Sequence, residues 1–475
     1  MLINFSSIIP KVNKNLIKLT SFQVTSLQLT TKRNNSSSSS KMSNSDNLIK
    51  GLNITHNPYF NLSGQDIWSL INETAAKAEI ESGKKVCNLG QGFFSYSPPD
   101  FAIKYAKEAF DDPLTNQYAP PRGKPQLLNS LAKSYTKFFG KEIKQTEICV
   151  TTGANEGMLS CFTAFLQKND EVIVMEPFFD QYISNIELNG GVIKYLPINP
   201  PADFDKRIVD ASEWTIDFKQ LESLITSKTK MIVINTPHNP IGKNFSKEEL
   251  LKIGELAVKH DFLIVSDEVY EHLYYKEHIR IANLSDEIAK RTLTIGSAGK
   301  SFAATGWRIG WVIGNEELIK YVQAAHTRVC FSSPAPIQVA VSKALDAALE
   351  NGYYEATRNK YINKYKIFTA VFDELNLPYT IADGGYFLLV NFKKVKIPEN
   401  IEFPEIIKSK PRDFKLAFWF IQEFGVVGIP PTEFYTDSNK EAAQDCLRFA
   451  VCKDDDVLAD AVNRLRALKK YIVEE

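Results

Sequence analysis

Between residues 98 and 342, short apolar runs alternate with stretches whose apolar positions recur every three or four residues. That alternation predicts an α/β architecture, a large, mostly parallel sheet covered by helices on both faces. Four runs, EVIVME (171–176), KMIVIN (230–235), FLIVS (262–266) and TLTIG (292–296), are apolar enough to be strands buried on both sides. Each is followed by polar or aromatic residues: PFFDQY, TPHNPIG, DEVY and SAGK. Ligands of open α/β sheets bind at the carboxyl ends of the strands, so these four segments are where a site is expected. From 343 to 475, helical patterns surround GGYFLLVNF (384–392) and CLRFAVC (446–452), predicting a smaller α+β domain that residues 60–97 join.

The segments carry a coherent chemistry. Lys300 lies in SAGKSFAATGWRIGW between small residues, with Arg308 eight positions on. A P-loop would need glycine at position 294, where the chain has Thr294, so the Gly-Lys-Ser string is not a nucleotide motif. Pyridoxal 5'-phosphate (PLP) needs an amine for its aldehyde, cationic and hydroxyl donors for its phosphate, and an acid for its pyridine nitrogen. Lys300, Ser297 with Arg308, and Asp267 meet these needs. Taken singly, each has a plainer reading: an exposed lysine in a turn, or an aspartate opening a helix.

Asp267 ends an apolar strand, where an unpaired carboxylate is costly and a cation is expected to face it. Tyr270 and Asn239 can reach the cofactor's phenolic oxygen, although the string NPIG also builds a tight turn wherever a chain reverses. TTGANEGMLSCFTAFL (151–166) reads as a glycine turn opening a helix, an anion site of backbone N–H groups. Phe178 and Phe179 suit the core or the face of a planar ring. Arg448, inside an apolar strand, is expected to hold a substrate carboxylate or an internal acid.

Composition narrows the alternatives. The chain has 475 residues with 56 basic and 56 acidic side chains, which offers no general attraction to nucleic acid or anionic membranes, and no apolar run is long enough to span a bilayer. Six scattered cysteines without a C-x-x-C pair, and six histidines without metal-ligand spacing, predict neither a disulfide framework nor a metal site. Residues 1–45 stand apart: they carry Lys11, Lys14, Lys18, Lys32, Arg33 and Lys41 and no acid. Lys11, Lys14 and Lys18 share one helical face and Ile9, Val12, Leu16 and Leu19 the other, as in a mitochondrial presequence. The alternatives are a disordered tail, supported by the serine run 36–40, and a cytoplasmic form starting at Met42.

Together LGQGF, NQYAPPRG, EPFFDQY, NTPHNPIG, DEVY and SAGKSFAATGWRIGW resemble fold-type-I class I/II aminotransferases, and within them the kynurenine aminotransferase, glutamine transaminase K and cysteine-S-conjugate β-lyase group, from about Trp68 to the C-terminus. The resemblance implies that Lys300 bonds the cofactor and acts as general base, that Asp267 pairs with the ring nitrogen, and that Asn239 and Tyr270 touch the phenolic oxygen. It implies Phe179 on the ring, and Ala154, Asn155, Ser297 and Arg308 around the phosphate, with Tyr118 reaching it from the second subunit of a homodimer. Gly92, Asn239 and Arg448 would bind the substrate, with Trp68 and the neighbour's Phe331 lining an aromatic side-chain pocket. The implied reaction is ping-pong transfer of an α-amino group to a 2-oxo acid; C–S elimination in the same site and a catalytically silent PLP-binding protein are the alternatives. Asn155 stands where animal relatives often have tyrosine, and Ser95-Tyr96 replaces Asp-Phe, so substrate preference stays open.

Overall fold

The computed structural model describes residues 67–473, with residues 49, 52–57 and 59–60 before them. The expected presequence, residues 1–45, lies outside the described residues. The chain divides after residue 62, and residues 63–475 form one compact unit.

Its centre is an eight-stranded sheet: β1 (Ile148–Thr151), β2 (Glu171–Glu176), β3 (Val192–Asn199), β4 (Thr215–Ile216), β5 (Thr229–Asn235), β6 (Leu263–Asp267), β7 (Thr292–Ser297) and β8 (Gly310–Gly314). The order across the sheet is β1-β8-β7-β6-β5-β2-β3-β4. Strands β7, β6, β5, β2 and β3 run parallel, while β8 is antiparallel to both β1 and β7, and β4 to β3. The four runs read from the sequence are β2, β5, β6 and β7. All the residues of β2 and β7 are buried, which is why those runs lack a polar alternation.

The sequence pattern did not single out β1, β3, β4 and β8. The outer strand β3 is half-covered and carries Lys194 and Asn199, and β4 is two residues long, so neither presents a continuous apolar run. The covering helices follow local rules. The helix Lys247–His260 opens on a capping box in which Ser246 Oγ accepts from the Glu249 N–H at 3.2 Å and Glu249 accepts from the Ser246 N–H at 2.9 Å, with Glu248 and Glu249 in its first turn and Lys259 and His260 in its last.

The chain leaves β2 toward β3 and β4, then crosses back to place β5 on the other side of β2. This reversal is a topological switch point, and the loops after β2 and β5 part there to leave a crevice. The ends of β1, β6 and β7 open on the same edge. GGYFLLVNF and CLRFAVC supply the strands Phe387–Asn391 and Cys446–Ala450, which pair antiparallel and bring Arg448 opposite Leu389. Cys87–Asn88 pairs with Val426–Val427, which brings the LGQGF segment to the same region.

Candidate active site

A cavity of about 230 Å³ lies at this strand edge, and its walls include Ala154, Asn155, Phe179, Asn239, Asp267, Tyr270, Ser297, Lys300 and Arg308. The turns after five strands thus converge on one space, as the sequence reading expected of these residues.

Lys300 belongs to the one-turn helix Ala298–Ser301 that follows β7. Its Nζ donates to Tyr386 Oη at 2.8 Å, and that hydroxyl donates onward to the Gly92 carbonyl at 2.9 Å. The amine lies 5.8 Å and 5.5 Å from the ring centroids of Tyr270 and Tyr386. Burial pushes its pKa down to about 8, against the opposing pull of Asp267. A solvent-exposed turn lysine would show none of this.

Asp267 sits at the end of β6 and is 4% exposed. Tyr182 Oη donates to its Oδ2, and the Val269 N–H reaches Oδ1 at 3.3 Å. Burial raises its pKa to about 6, and it makes no ion pair among the described residues. No helix starts at Asp267; the chain continues in turns, so the capping explanation does not apply. Asn235 Nδ2 donates to the Asp267 carbonyl at 3.1 Å, and its Oδ1 accepts the Asn239 N–H at 2.7 Å, tying the two walls together.

At the opposite end, Gly153 takes φ +80 and the helix Ala154–Phe165 begins without a side-chain cap, leaving its first N–H groups free for an anion. Arg308, itself at φ +54, donates to the Thr305 carbonyl at 3.0 Å and the Thr152 carbonyl at 3.4 Å. Only glycine fits between them, since a Cβ on Gly153 would fall 2.4 Å from Arg308 Nη2. Glu156, His326 and Cys330 brace this turn from behind: His326 Nδ1 lies 2.9 Å from Glu156 Oε2, and the same oxygen accepts the Thr152 N–H at 2.8 Å. Asn155 is held by Asn185 at 3.0 Å.

Arg448 is 2% exposed and forms no salt bridge among the described residues, Asp180 acting on it only at longer range, which removes the internal salt bridge as an explanation. Nη1 donates to Asn239 Oδ1 at 3.2 Å, Nη2 donates to the Gly90 carbonyl at 2.9 Å, and Nε has no partner. The guanidinium lies over Phe387, Phe434 and Trp68, with centroids at 4.4, 4.9 and 5.5 Å. Burial lowers its pKa to about 10. An unpaired buried guanidinium in an aromatic frame is built to receive a carboxylate.

Two expected residues lie elsewhere. Tyr118 and Phe331 pack edge to face at 5.6 Å and border a different cavity of about 890 Å³, exposed by 87% and 50%. Within one chain they do not line the Lys300 cavity. Tyr182 and Tyr386, in contrast, were not identified from the sequence. Tyr182 lies in the EPFFDQY string itself, but nothing local marks a tyrosine whose partner is 85 residues away. Tyr96, at one of the two departures, bonds Tyr361 Oη at 2.6 Å instead of entering the cavity.

The donor set fits PLP: a half-buried amine for the aldehyde, a buried carboxylate with no ion pair among the described residues for the pyridine nitrogen, and a helix start with an arginine for the phosphate. Gly310 supports the last of these. A Cβ there would lie 2.6 Å from both Ala154 N and Gly153 C, backbone atoms that cannot move aside. We expect Gly310→Ala to displace the phosphate turn and weaken PLP retention about tenfold or more. Spectroscopic titration of the apoprotein with PLP checks this, and an unchanged affinity would show the turn to be more compliant than the packing indicates.

These features define a PLP-dependent enzyme acting on amino acids. Residues 84–465 match the family model of aminotransferase class I and II, and the chain belongs to that family. It is 58% identical over 425 residues to the probable kynurenine–oxoglutarate transaminase BNA3 of Saccharomyces cerevisiae, covering 88% of this chain and 96% of that protein. It is 34% identical over 419 residues to the kynurenine–oxoglutarate transaminase of Dictyostelium discoideum, 86% of this chain and 95% of that one. The crystal structure of yeast Bna3p, described as a putative kynurenine aminotransferase, superposes with a TM-score of 0.87 over 88% of this chain and all of that one.

Proposed function

We propose that the protein transfers the α-amino group of kynurenine and related aromatic, glutamine or sulfur amino acids to a 2-oxo acid. The observation that carries this reading is the unpaired Arg448 guanidinium, bound to Asn239 and framed by Phe387, Phe434 and Trp68, beside the amine of Lys300. A carboxylate bound there leaves the rest of the substrate against aromatic surface, which suits kynurenine better than a second carboxylate.

Lys300 would bond PLP, Asp267 its ring nitrogen, Asn239 and Tyr270 its phenolic oxygen, and Ala154, Asn155, Ser297 and Arg308 its phosphate, with Phe179 against the ring. When bound, PLP supplies an electron sink for the pair left behind as the Cα proton departs. The chain's residues do the rest. Arg448 and Gly92 orient the carboxylate so that the Cα–H bond meets Lys300. Lys300, whose free amine burial brings to a pKa of about 8, would take the Cα proton and return it. Tyr386 holds the amine in place between these events.

The absorbance spectrum of the holoenzyme, recorded before and after adding kynurenine without an oxo acid, tests the proposal. Loss of the lysine-bound cofactor's visible band with release of one oxo acid per site is expected. An unchanged band would exclude kynurenine as a donor. Steady-state kinetics should be ping-pong, since both half-reactions use one site, and a strictly sequential pattern would count against the mechanism. C–S elimination is the alternative outcome when Cβ carries a thiolate leaving group.

PLP should stabilise the protein more at pH 7.5 than at pH 5. Asp267 has a pKa of about 6, above the ordinary carboxylate value, so its buried charge lowers apoprotein stability progressively as pH rises from about 4 through 6. Lys300, with a depressed pKa of about 8, penalises the fold while protonated, and that penalty is lost above pH 8. A cationic ring nitrogen compensates the first charge, and bonding to the aldehyde is easier the less Lys300 is protonated. The thermal shift on adding PLP, measured at both pH values, checks this; an equal shift would speak against the Asp267 pairing.

The proposal includes a homodimer in which Tyr118 and Phe331 complete the neighbour's site. Their exposure beside the separate cavity supports it, and a monomer in sedimentation would overturn it. It also includes a division of the chain into domains 98–342 and 60–97 with 343–475, and delivery of the chain to mitochondria by residues 1–45. A reporter fused to those residues that stays diffuse in the cytosol would remove the last point.

A further inference from the structure

The segment Gly90–Phe93, which bends at Gly90 and Gln91, is held through every one of its carbonyls, and the holders alternate. Gly90 O accepts from Arg448 Nη2 at 2.9 Å and Gly92 O accepts from Tyr386 Oη at 2.9 Å. Gln91 O and Phe93 O both accept from Lys453 Nζ, at 3.1 and 2.6 Å, and Phe93 O also accepts from Cys452 Sγ at 3.3 Å. One side of the segment therefore faces the substrate arginine and the tyrosine that holds Lys300; the other is gripped by Lys453.

Lys453 is unusual in its own right. It is 2% exposed, its ammonium sits 3.8 Å from the Phe93 ring centroid, and it pairs with no carboxylate among the described residues. A buried cation is costly unless its neighbours answer it. Here two backbone dipoles and an aromatic face do so, and both dipoles belong to the segment that passes Arg448.

In a trans peptide the N–H points opposite to the carbonyl of the same unit. The Gly92 N–H is therefore directed away from Lys453, toward the side of Arg448 and Tyr386. It has no partner among the described residues, whereas the Gly90 and Gln91 N–H groups are taken by Asn88 Oδ1 at 3.1 and 3.4 Å. A cation bonded to the Gln91 carbonyl polarises that amide and strengthens its N–H as a donor. A side chain on Gly92 would in turn meet Phe387 at 3.0 Å and Tyr386 Oη at 3.2 Å, so glycine lets the segment pack closely against the tyrosine that holds Lys300.

We propose that Lys453 is a positioning residue for substrate carboxylate binding: it clamps Gln91 and Phe93 from behind, fixes the Gly92 N–H toward the Arg448 site and polarises it. It touches no reacting atom. The proposal rests on Arg448 and Gly92 being the carboxylate site.

Two ligands separate a carboxylate effect from a general structural one: L-phenylalanine and 2-phenylethylamine, which is the same amine without the carboxylate. Both are titrated into the holoenzyme and followed through the absorbance of the lysine-bound cofactor. In Lys453→Met the affinity for L-phenylalanine should fall about tenfold, the loss expected for one hydrogen bond to a charged group, while that for 2-phenylethylamine stays within twofold. Equal losses for both ligands, or no loss for either, would overturn the proposal. Lys453→Gln, which keeps one donor but not the charge, should show the same split at smaller amplitude and serves if the methionine variant does not fold. A parent enzyme that responds to the amine but not to the amino acid would instead remove the carboxylate assignment of Arg448 and Gly92.

Discussion

Lys300→Ala is expected to lower transamination by at least about 10⁴-fold. The substitution removes two functions at once. On the proposed mechanism it removes the amine that would bond the cofactor and the base that would move the Cα proton; a positioned general base alone contributes about 10²–10⁴. No neighbour can substitute. Burial holds the Tyr270 and Tyr386 hydroxyls above the ordinary phenol range, and Asp267 lies at the end of another strand, bonded to Tyr182. Alanine suits the one-turn helix Ala298–Ser301, so the fold should persist and the effect be confined to chemistry. Rates of oxo-acid formation, with circular dichroism as the control for folding, check this. A variant retaining more than a hundredth of the parent activity would mean that another group serves as base.

Arg448→Gln should reduce kcat/KM by about 10²–10³-fold, for the amino acid and the 2-oxo acid alike. On the proposed function both would present a carboxylate to the same guanidinium, whose Nε is unused and whose Nη groups rest on Asn239 and Gly90. Deleting one partner of a buried, hydrogen-bonded charge pair costs about 2–5 kcal/mol, or roughly 1.4 kcal/mol per tenfold in rate. Glutamine keeps some of the volume against Phe387 and Trp68 but neither the charge nor the fork. The loss should not depend on which side chain the substrate carries, because the carboxylate is common to all of them. Specificity constants for several donors and one acceptor test this; a loss confined to one donor would place Arg448 in side-chain recognition instead.

The central strands were readable because each is buried on both faces, so its sequence is an uninterrupted apolar run with chemistry waiting at its end. Lys300, Asp267, Asn239 and Arg308 follow such runs, and the structure gathers them around one cavity. Arg448 was legible for the opposite reason, as a charge inside an apolar strand. The outer strands β3 and β4 were not, since a half-covered strand and a two-residue strand carry no continuous signal.

Partners were harder to read than sites. Tyr182 reaches Asp267 across 85 positions, Tyr386 reaches Lys300 across 86, and Lys453 reaches Phe93 across 360. Each joins two segments that only the sheet order and the strand pairings 387–391 with 446–450 and 87–88 with 426–427 bring together. The sequence by itself determined the cofactor class, the family and most of the residues that gather around the Lys300 cavity, because these lie in short local motifs tied to strand ends. Tertiary structure alone decided what holds those residues in place and at what pKa, because burial and long-range hydrogen bonds depend on the whole packed chain and leave no periodic trace in any one segment of it.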